Sequence, residues 1–404
     1  MADETFLQAN KIAVMSDVHL AAGDCVLDRP DPDDIGGLTR FLDENDVKVD
    51  VFVLLGDVFD LAMATYADTA RRAKRLIDVL ASRCEKIVYV PGNHDHHMWL
   101  LANDSAEIVE LFPNCPPGFA PRAERSYAKS FLQQIHAGHP FEVSYPNAYW
   151  KPPKGSGRAF VMHHGHFCED TYTLISDIYH DAFQGSVKDL NAIESINAGW
   201  VEFVWYHMGQ GGVGVQSLVK GLYNQIKSGK TDSLERGIRA LYTKKVSPLV
   251  HQALADQAKE HWWLPNKAAA WAADAIDSRA PGWIMDAVKR AITSHVDEGT
   301  PGVSAMRGAA LDDTLATHCK RYLDLTSNSR SDLGSQMSLI FGHTHSFGVW
   351  PATHPFLFND GGWIGDDKSW PDAYLFLIDE AANLRALHFG PSGKTIGSAR
   401  YEQV

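Results

Sequence analysis

The sequence predicts an α/β protein carrying a large, mainly helical insertion, and three observations support that. Short apolar runs alternate with segments of helical spacing over the first ninety or so residues. Five polar motifs rich in His, Asp and Asn each follow directly on an apolar run. Between the fourth and fifth motifs, residues 170–335 are patterned as helix almost throughout.

Taken in order, Lys11–Ser16 is a short apolar run and is predicted as a strand. Asp33–Glu44 has helical spacing and an acidic start, and Val49–Leu55 is a strong buried-strand run ending at Gly56-Asp57. Tyr66–Ser82 is predicted helical, with Arg71, Arg72, Lys74 and Arg75 as its wet face. Lys86–Val90 is the next strand, stopped by Pro91-Gly92. Alternation of this kind predicts sheets covered by helices. Residues 100–157, broken by Pro and Gly clusters, are expected to form loops and one edge strand near Phe141–Trp150. Helical runs follow at Leu190–Met208, Gln216–Lys227, Leu234–Lys244, Leu249–Glu260, Asn266–Asp277 and Trp283–Val296. Strands are expected again at Ser338–Phe341, His354–Phe358, Ala373–Ile378 and Leu384–Phe389. The expected division is a core of residues 1–169 and 336–404 interrupted by the 170–335 insertion, acting as cap, lid or interface.

The motifs are Asp17-Val-His19, Gly56-Asp57-Val-Phe-Asp60, Gly92-Asn93-His94-Asp95, His164-Gly165 and Gly342-His343-Thr-His345. Ligand sites in α/β sheets gather at the carboxyl ends of strands, so five such ends can converge on one crevice. Together they offer Asp17, His19, Asp57, Asn93, His164, His343 and His345 as candidate metal ligands, enough for two divalent cations sharing a bridging carboxylate. Asp57, on a tight bend after a strand, is the natural bridge. The mixed N/O donor set without Cys suits Mn, Fe, Zn, Co or Ni better than Mg or Ca. A two-metal site activates water for attack on phosphorus, which predicts a phosphoesterase.

The five motifs, in this order, resemble those of the calcineurin-like metallophosphoesterase superfamily, over residues 12–164 and 336–390. Asn359-Asp-Gly361-Gly362-Trp363 is similar to an N-x-G-x-W turn of its bacterial branches. The resemblance implies a double β-sandwich flanked by helices. It implies Asp17, His19, Asp57 and His345 around one metal, and Asp57, Asn93, His164 and His343 around the other, with Mn or Fe favoured. A hydroxide bridging the metals would attack phosphorus, with His94 as general acid oriented by Asp60. Asp60 is followed by Leu61 and not by the Arg that Ser/Thr protein phosphatases carry there, which weighs against that branch. The insertion after the H-G motif resembles in position the lid of UDP-diacylglucosamine hydrolases, which often carry Asp where this chain has His166. On this reading His166 is either a substrate contact or a neighbour of the ligands, and His96 and His97 are loop residues at the cleft rim.

Composition narrows the partners. The net charge of −13 argues against a generic nucleic-acid binder. Residues 171–330 hold 17 acidic and 17 basic side chains, so the excess acid lies with the motifs. The insertion carries Trp200, Trp205, Trp262, Trp263, Trp271 and Trp283, and residues 220–245 hold a local basic excess. Helical core packing and solvated faces account for such features, and so does a cap facing an anionic or lipid-linked substrate. The expected substrate is a phosphate mono- or diester or a pyrophosphate, nucleotide-linked or lipid-linked, with peripheral membrane contact and oligomerisation left open. A nuclease of the same superfamily and a weakly active metal-binding scaffold are the alternatives. Five scattered cysteines, an acidic start and the lack of a long apolar run predict a cytoplasmic protein without a signal peptide.

Overall fold

A computed structural model describes residues 5–21, 25–28, 35–61, 64, 66–100, 132–136, 138–154, 157–169, 172–173, 175–176, 190–202, 232–248, 313–334, 336–350, 356–365 and 370–402, with scattered residues between 251 and 286. The strands are β1 (Thr5–Leu7), β2 (Ile12–Met15), β3 (Val49–Leu55), β4 (Cys84–Val90), β5 (Phe141–Val143), β6 (Asn147–Trp150), β7 (Ala159–His163), β8 (Met337–Phe341), β9 (Phe347–Trp350), β10 (Phe356–Asp360), β11 (Tyr374–Ile378), β12 (Leu384–Phe389) and β13 (Thr395–Tyr401). The principal helices are α1 (Leu38–Glu44), α2 (Tyr66–Ala81), α3 (Leu190–Val201), α4 (Asp232–Leu241) and α5 (Asp313–Ser329).

The strands form two sheets, ordered β1-β6-β7-β8-β10-β9 and β13-β12-β11-β2-β3-β4-β5. Side chains alternate between faces along each strand. Val51, Val53 and Leu55 of β3 meet Phe160 and Met162 of β7 and Ile340 of β8 in a core between the sheets. Phe52 and Leu54 point the other way, onto α1 and α2. Val161 of β7 and Leu339 of β8 point outward onto α3 and α5. The result is the expected double sandwich: helix, sheet, sheet, helix.

Helix positions follow from apolar spacing. In α2, Ala73, Leu76, Ile77 and Leu80 are buried while Arg71, Arg72, Lys74 and Arg75 are exposed, as the sequence predicts. In α5, Leu315, Ala316, Cys319, Tyr322 and Leu323 make the same three-and-four stripe against the first sheet. α1 is shorter than predicted because Gly36 and Gly37 both have positive φ (57° and 92°). A Cβ at Gly36 would fall 2.5 Å from the Val26 carbonyl oxygen, so the helix begins only after the pair.

Other expectations are corrected. Phe141–Trp150 is not one edge strand. β5 extends the second sheet beside β4, and β6 lies inside the first sheet between β1 and β7. The chain changes sheets at the turn containing the cis Tyr145–Pro146 bond. The strand expected at His354–Phe358 runs over Phe356–Asp360 instead, so that Asn359 and Asp360 belong to it. β1, β9 and β13 were not predicted. Of the predicted helical runs, Gln216–Lys227, most of Leu249–Glu260 and most of Trp283–Val296 lie outside the described residues, as do Trp205, Trp262, Trp263 and Trp283. Trp200 packs partly buried beside the outer core of the first sheet, whereas Trp271 is 74% exposed. Among the described residues no helix is long and apolar enough to cross a membrane.

Phe376 is fully buried between the sheets, its ring 6.2 Å from Phe347 and 6.5 Å from Phe358. Phe376→Ala is expected to lower the unfolding free energy by about 3–5 kcal/mol, read from the urea midpoint.

Candidate metal centre

β2, β3 and β4 are parallel, as are β7 and β8, and all five motifs leave the carboxyl ends of these strands. The loops then pair with one another. Asp17 N–H donates to the Gly56 carbonyl (3.0 Å), His19 N–H to the Asp57 carbonyl (2.8 Å) and Gly342 N–H to the His164 carbonyl (2.8 Å). Three glycines allow the approach. A Cβ at Gly342 would lie 2.1 Å from Asp17 Oδ2, one at Gly92 2.3 Å from Asp57 Oδ1, and one at Gly56 2.5 Å from the His164 ring.

The two candidate carboxylate ligands each divide their oxygens. Asp17 Oδ2 accepts the His343 N–H at 2.8 Å and the Ser16 hydroxyl, while among the described residues nothing donates a hydrogen bond to buried Oδ1. Asp57 Oδ1 accepts the His94 N–H at 2.8 Å, and Oδ2 turns to the imidazoles. Around Asp17 Oδ1 stand His345 Nε2 at 3.2 Å and His19 Nε2 at 3.8 Å, with the two Nε2 atoms 3.0 Å apart. Around Asp57 Oδ2 stand His164 Nε2 at 3.2 Å, His19 Nε2 at 3.7 Å and His94 Nε2 at 4.0 Å. His164 Nε2 also lies 3.1 Å from Asn93 Oδ1. Among the described residues neither ring nitrogen of buried His343 has a hydrogen-bond partner, and Nε2 is 3.4 Å from Glu169 Oε2.

These spacings match donors that share a cation. Ligand atoms held at about 2.0–2.2 Å from one ion sit roughly 3–3.5 Å from each other. Asp17, His19 and His345 form one convergent group and Asp57, His164 and His343 another, while His19, Asp57 and His94 form a third between them. Unsatisfied buried atoms at Asp17 Oδ1 and on His343 are what such an ion would complete. The structure thus brings all seven sequence-predicted ligands, with His94 and Asp60, into one buried cluster.

Asp60 reaches two histidines at once. Its Oδ2 lies 3.1 Å from His19 Nδ1 and its Oδ1 3.1 Å from His94 Nδ1. An ionised carboxylate only accepts, so both Nδ1 atoms carry hydrogen and both Nε2 atoms are left to face the centre. His164 is set the same way by donating Nδ1–H to the Leu55 carbonyl at 3.0 Å. Burial works against charge on His94, but the Asp60 and Asp57 carboxylates outweigh it and hold its pKa above the ordinary value. Burial likewise opposes charge on His164, yet Asp57 and Asp17 push it up to about 9. Burial would raise Asp57 and Asp60, but the surrounding imidazoles hold both carboxyls well below the usual range. A cluster this rich in buried carboxylate draws positive charge, which protons on histidine or metal ions can supply.

Several supporting residues were not foreseen. Asp95 ties the second and third motifs together, accepting the N–H groups of Gly92 (2.5 Å), Val58 (3.0 Å), Asp57 and Phe59 (both 3.3 Å). Asn93 Nδ2 donates to Tyr172 Oη at 3.2 Å. Asn359 Nδ2 donates to the Gly342 carbonyl and Thr344 Oγ1, both at 2.9 Å, and so fastens the last motif. Asn359 and Trp363 were visible as a family-like turn, and Trp363 N–H does donate to the Asp17 carbonyl at 2.9 Å.

Of the remaining histidines, His96 falls differently from expectation, while His166 lies beside the candidate ligands, its ring 5.7 Å from that of His164. His96 is 1% exposed, so it is not a rim residue. Its Nδ1 lies 2.9 Å from Glu202 Oε1 and its Nε2 3.0 Å from Glu194 Oε1. Glu202 Oε2 takes His97 Nδ1 at 2.8 Å. His163 and His166 are also fully buried; His163 Nδ1 accepts the Gly165 N–H at 2.9 Å, and His166 Nε2 lies 3.4 Å from Tyr145 Oη. Burial pushes both rings well below the ordinary pKa, so they are neutral.

Residues 10–208 match the protein family described as calcineurin-like phosphoesterase. The matched span contains the first four motifs and α3, while His343 and His345 lie beyond it. No curated protein sequence matches the chain.

The His96–glutamate pair sets a pH window for stability. Burial opposes charge on His96, but Glu194 and Glu202 push it from 6.5 to about 10; burial opposes charge on Glu202, but His96 and His97 bring it from 4.5 to about 2. A raised histidine contributes fully below its unfolded value and loses that contribution as pH rises toward 10. A lowered carboxyl contributes fully above its unfolded value and loses it as pH falls toward 2. The gap in thermal midpoint between wild type and His96→Gln is therefore expected to be widest between pH 4.5 and 6.5 and to close on either side. A gap independent of pH contradicts the assignment.

Proposed function

We propose, from the match of residues 10–208 to the calcineurin-like phosphoesterase family, that the chain hydrolyses phosphate mono- or diesters, or pyrophosphates, with two divalent metal ions. The observation that carries this reading is the position of Asp57: its Oδ2 faces His19 on one side and His164 on the other, as a bridging carboxylate must. Asp17, His19, Asp57 and His345 would hold one ion, and Asp57, Asn93, His164 and His343 the other. The N/O donor set suits Mn, Fe, Zn, Co or Ni, and of these Mn or Fe is proposed. When bound, such a pair supplies a nucleophilic water near neutral pH and neutralises charge on the phosphoryl oxygens.

The chain's own residues do the rest. The buried carboxylates would hold the ions, and the interlocked loops keep the candidate ligand atoms at fixed separation. His94 points Nε2 at the centre with its Nδ1–H held by Asp60. With Nδ1 committed to Asp60, Nε2 is the nitrogen from which His94 would deliver a proton to the departing alkoxide as the ester bond breaks. Asn93 directs its amide oxygen to His164, its nitrogen being occupied by Tyr172. Leu61 is buried after Asp60, so no basic side chain stands there to take a phosphate. The substrate is proposed to be a nucleotide-linked or lipid-linked phosphoester. Residues 170–335 are proposed as an insertion in the core, although α5 also completes the outer layer of the first sheet.

Two tests apply. Elemental analysis should find about two metal ions per chain, and Mn-supplemented protein should hydrolyse bis-p-nitrophenyl or p-nitrophenyl phosphate; Asp57→Ala should abolish both metal and turnover. Absence of turnover after reconstitution would sink the hydrolase reading. His94→Ala should retain metal and lose about 10²–10⁴-fold in kcat on esters with poor leaving groups, and less on good ones. Equal loss on both would remove His94 from the general-acid role.

A further inference from the structure

We propose that α3 and the residue following it support the active centre, with Glu194 and Glu202 as positioning residues that grip His96 from both edges and thereby fix the loop presenting Asn93 and His94. The inference rests on the roles proposed for Asn93 and His94, but its geometry stands apart from them. Both nitrogens of His96 face carboxylate oxygens, at 2.9 and 3.0 Å, so both must donate and the ring is an imidazolium. The remaining oxygens are also used: Glu202 Oε2 by His97 Nδ1 at 2.8 Å, and Glu194 Oε2 by Tyr145 Oη at 2.7 Å. Tyr145 in turn stacks on Trp99, with ring centroids 4.9 Å apart.

The cluster is not a second metal site. The glutamates meet opposite edges of one ring, so their oxygens and the ring nitrogens share no common centre. Nor is bulk stability a sufficient reason for it. A buried ion pair seldom stabilises more than an apolar cluster of the same size, but it is strongly selective for orientation. Here the orientation selected is that of residues 93–97. Asn93 lies three residues before the clamped ring, His94 two residues before it. The same loop is held from its other end by Tyr172 on Asn93, by Asp60 on His94 and by Asp57 on the His94 N–H. Tyr172, Glu194 and Glu202 all come from the stretch between His164 and His343, between the fourth and fifth motifs. That stretch therefore reaches back to the third motif at both ends of one short loop.

The experiment compares Glu202→Gln, Glu202→Asp and Glu194→Gln with wild type by two readouts. The first is hydrogen–deuterium exchange of the metal-free protein. Amides of residues 92–100 are expected to exchange about tenfold faster in the Gln variants, with the β3 and β7 amides unchanged. The second is kcat and KM on aryl and alkyl phosphoesters of graded leaving-group pKa. Here kcat is expected to fall about tenfold or more on the poorest leaving groups and less on the best, with KM within about twofold. Glu202→Asp, which keeps the charge but shortens the reach, is expected to fall between. If Glu202→Gln does not fold, the other two carry the same readouts. Unchanged exchange at residues 92–100, or a kcat loss equal across leaving groups, overturns the proposal. A wild type without turnover on any ester overturns the phosphoesterase reading instead, and leaves the exchange result to decide the clamp.

Discussion

The centre depends on how two buried aspartates divide their oxygens. In Asp17 and in Asp57, one oxygen is taken by a backbone N–H from a different motif, His343 and His94 respectively. The other is left facing imidazoles. A carboxylate free to rotate would satisfy both oxygens locally and lose its direction. Here the scaffold spends one acceptor of each pair to aim the other. The same hydrogen bonds join the first motif to the fifth and the second to the third, so ligand geometry and loop packing are one set of interactions.

Holding those loops costs backbone strain. Asp17, His19, Asp57, His343 and His345 all adopt positive φ, between 49° and 70°. Side-chain-bearing residues there are less stable by about 1–2 kcal/mol each. Five of the seven candidate ligands therefore sit in a conformation that L-residues avoid. Such strain persists only where surroundings over-determine it, and the paired loops, Asp95 and Asn359 supply that surplus. Bends of this kind turn a strand's last residues sharply enough for two ligands, such as His343 and His345, to enter one space from one turn.

Legibility in the sequence followed burial. β2, β3, β4, β7 and β8 are apolar on both faces because each lies between two packed layers, and they read as continuous runs. The missed strands are sheet edges, β1 and β9 in one sheet and β13 in the other, while β5 and the inner strands β6 and β10 were blurred in their bounds. An edge such as β13 alternates exposed and half-buried residues, a pattern shared with loops. The clustering of the candidate ligands was legible because donor type, spacing and preceding strand all coincide. Glu194 and Glu202 were not, because a Glu in a helical run looks solvated until its partner is known. His96 misled for the converse reason: beside a ligand motif it looked like a rim residue, and its burial depends on two carboxylates roughly a hundred positions away. Helical spacing foretold α3, but nothing in the spacing told which face would meet the third motif.

The separation of the motifs along the chain also has a temporal consequence. Asp17, Asp57, Asn93 and His164 are synthesised well before His343 and His345, which arrive only with β8. A nascent chain emerging from the ribosome thus holds several carboxylates and imidazoles before the N–H that aims Asp17 exists. Contacts at this sequence distance form late and slowly. Until they do, the early candidate ligands lack the fifth motif that closes the cluster. The candidate centre is therefore complete only once β8 has paired with β7 and Asn359 has fastened the fifth motif.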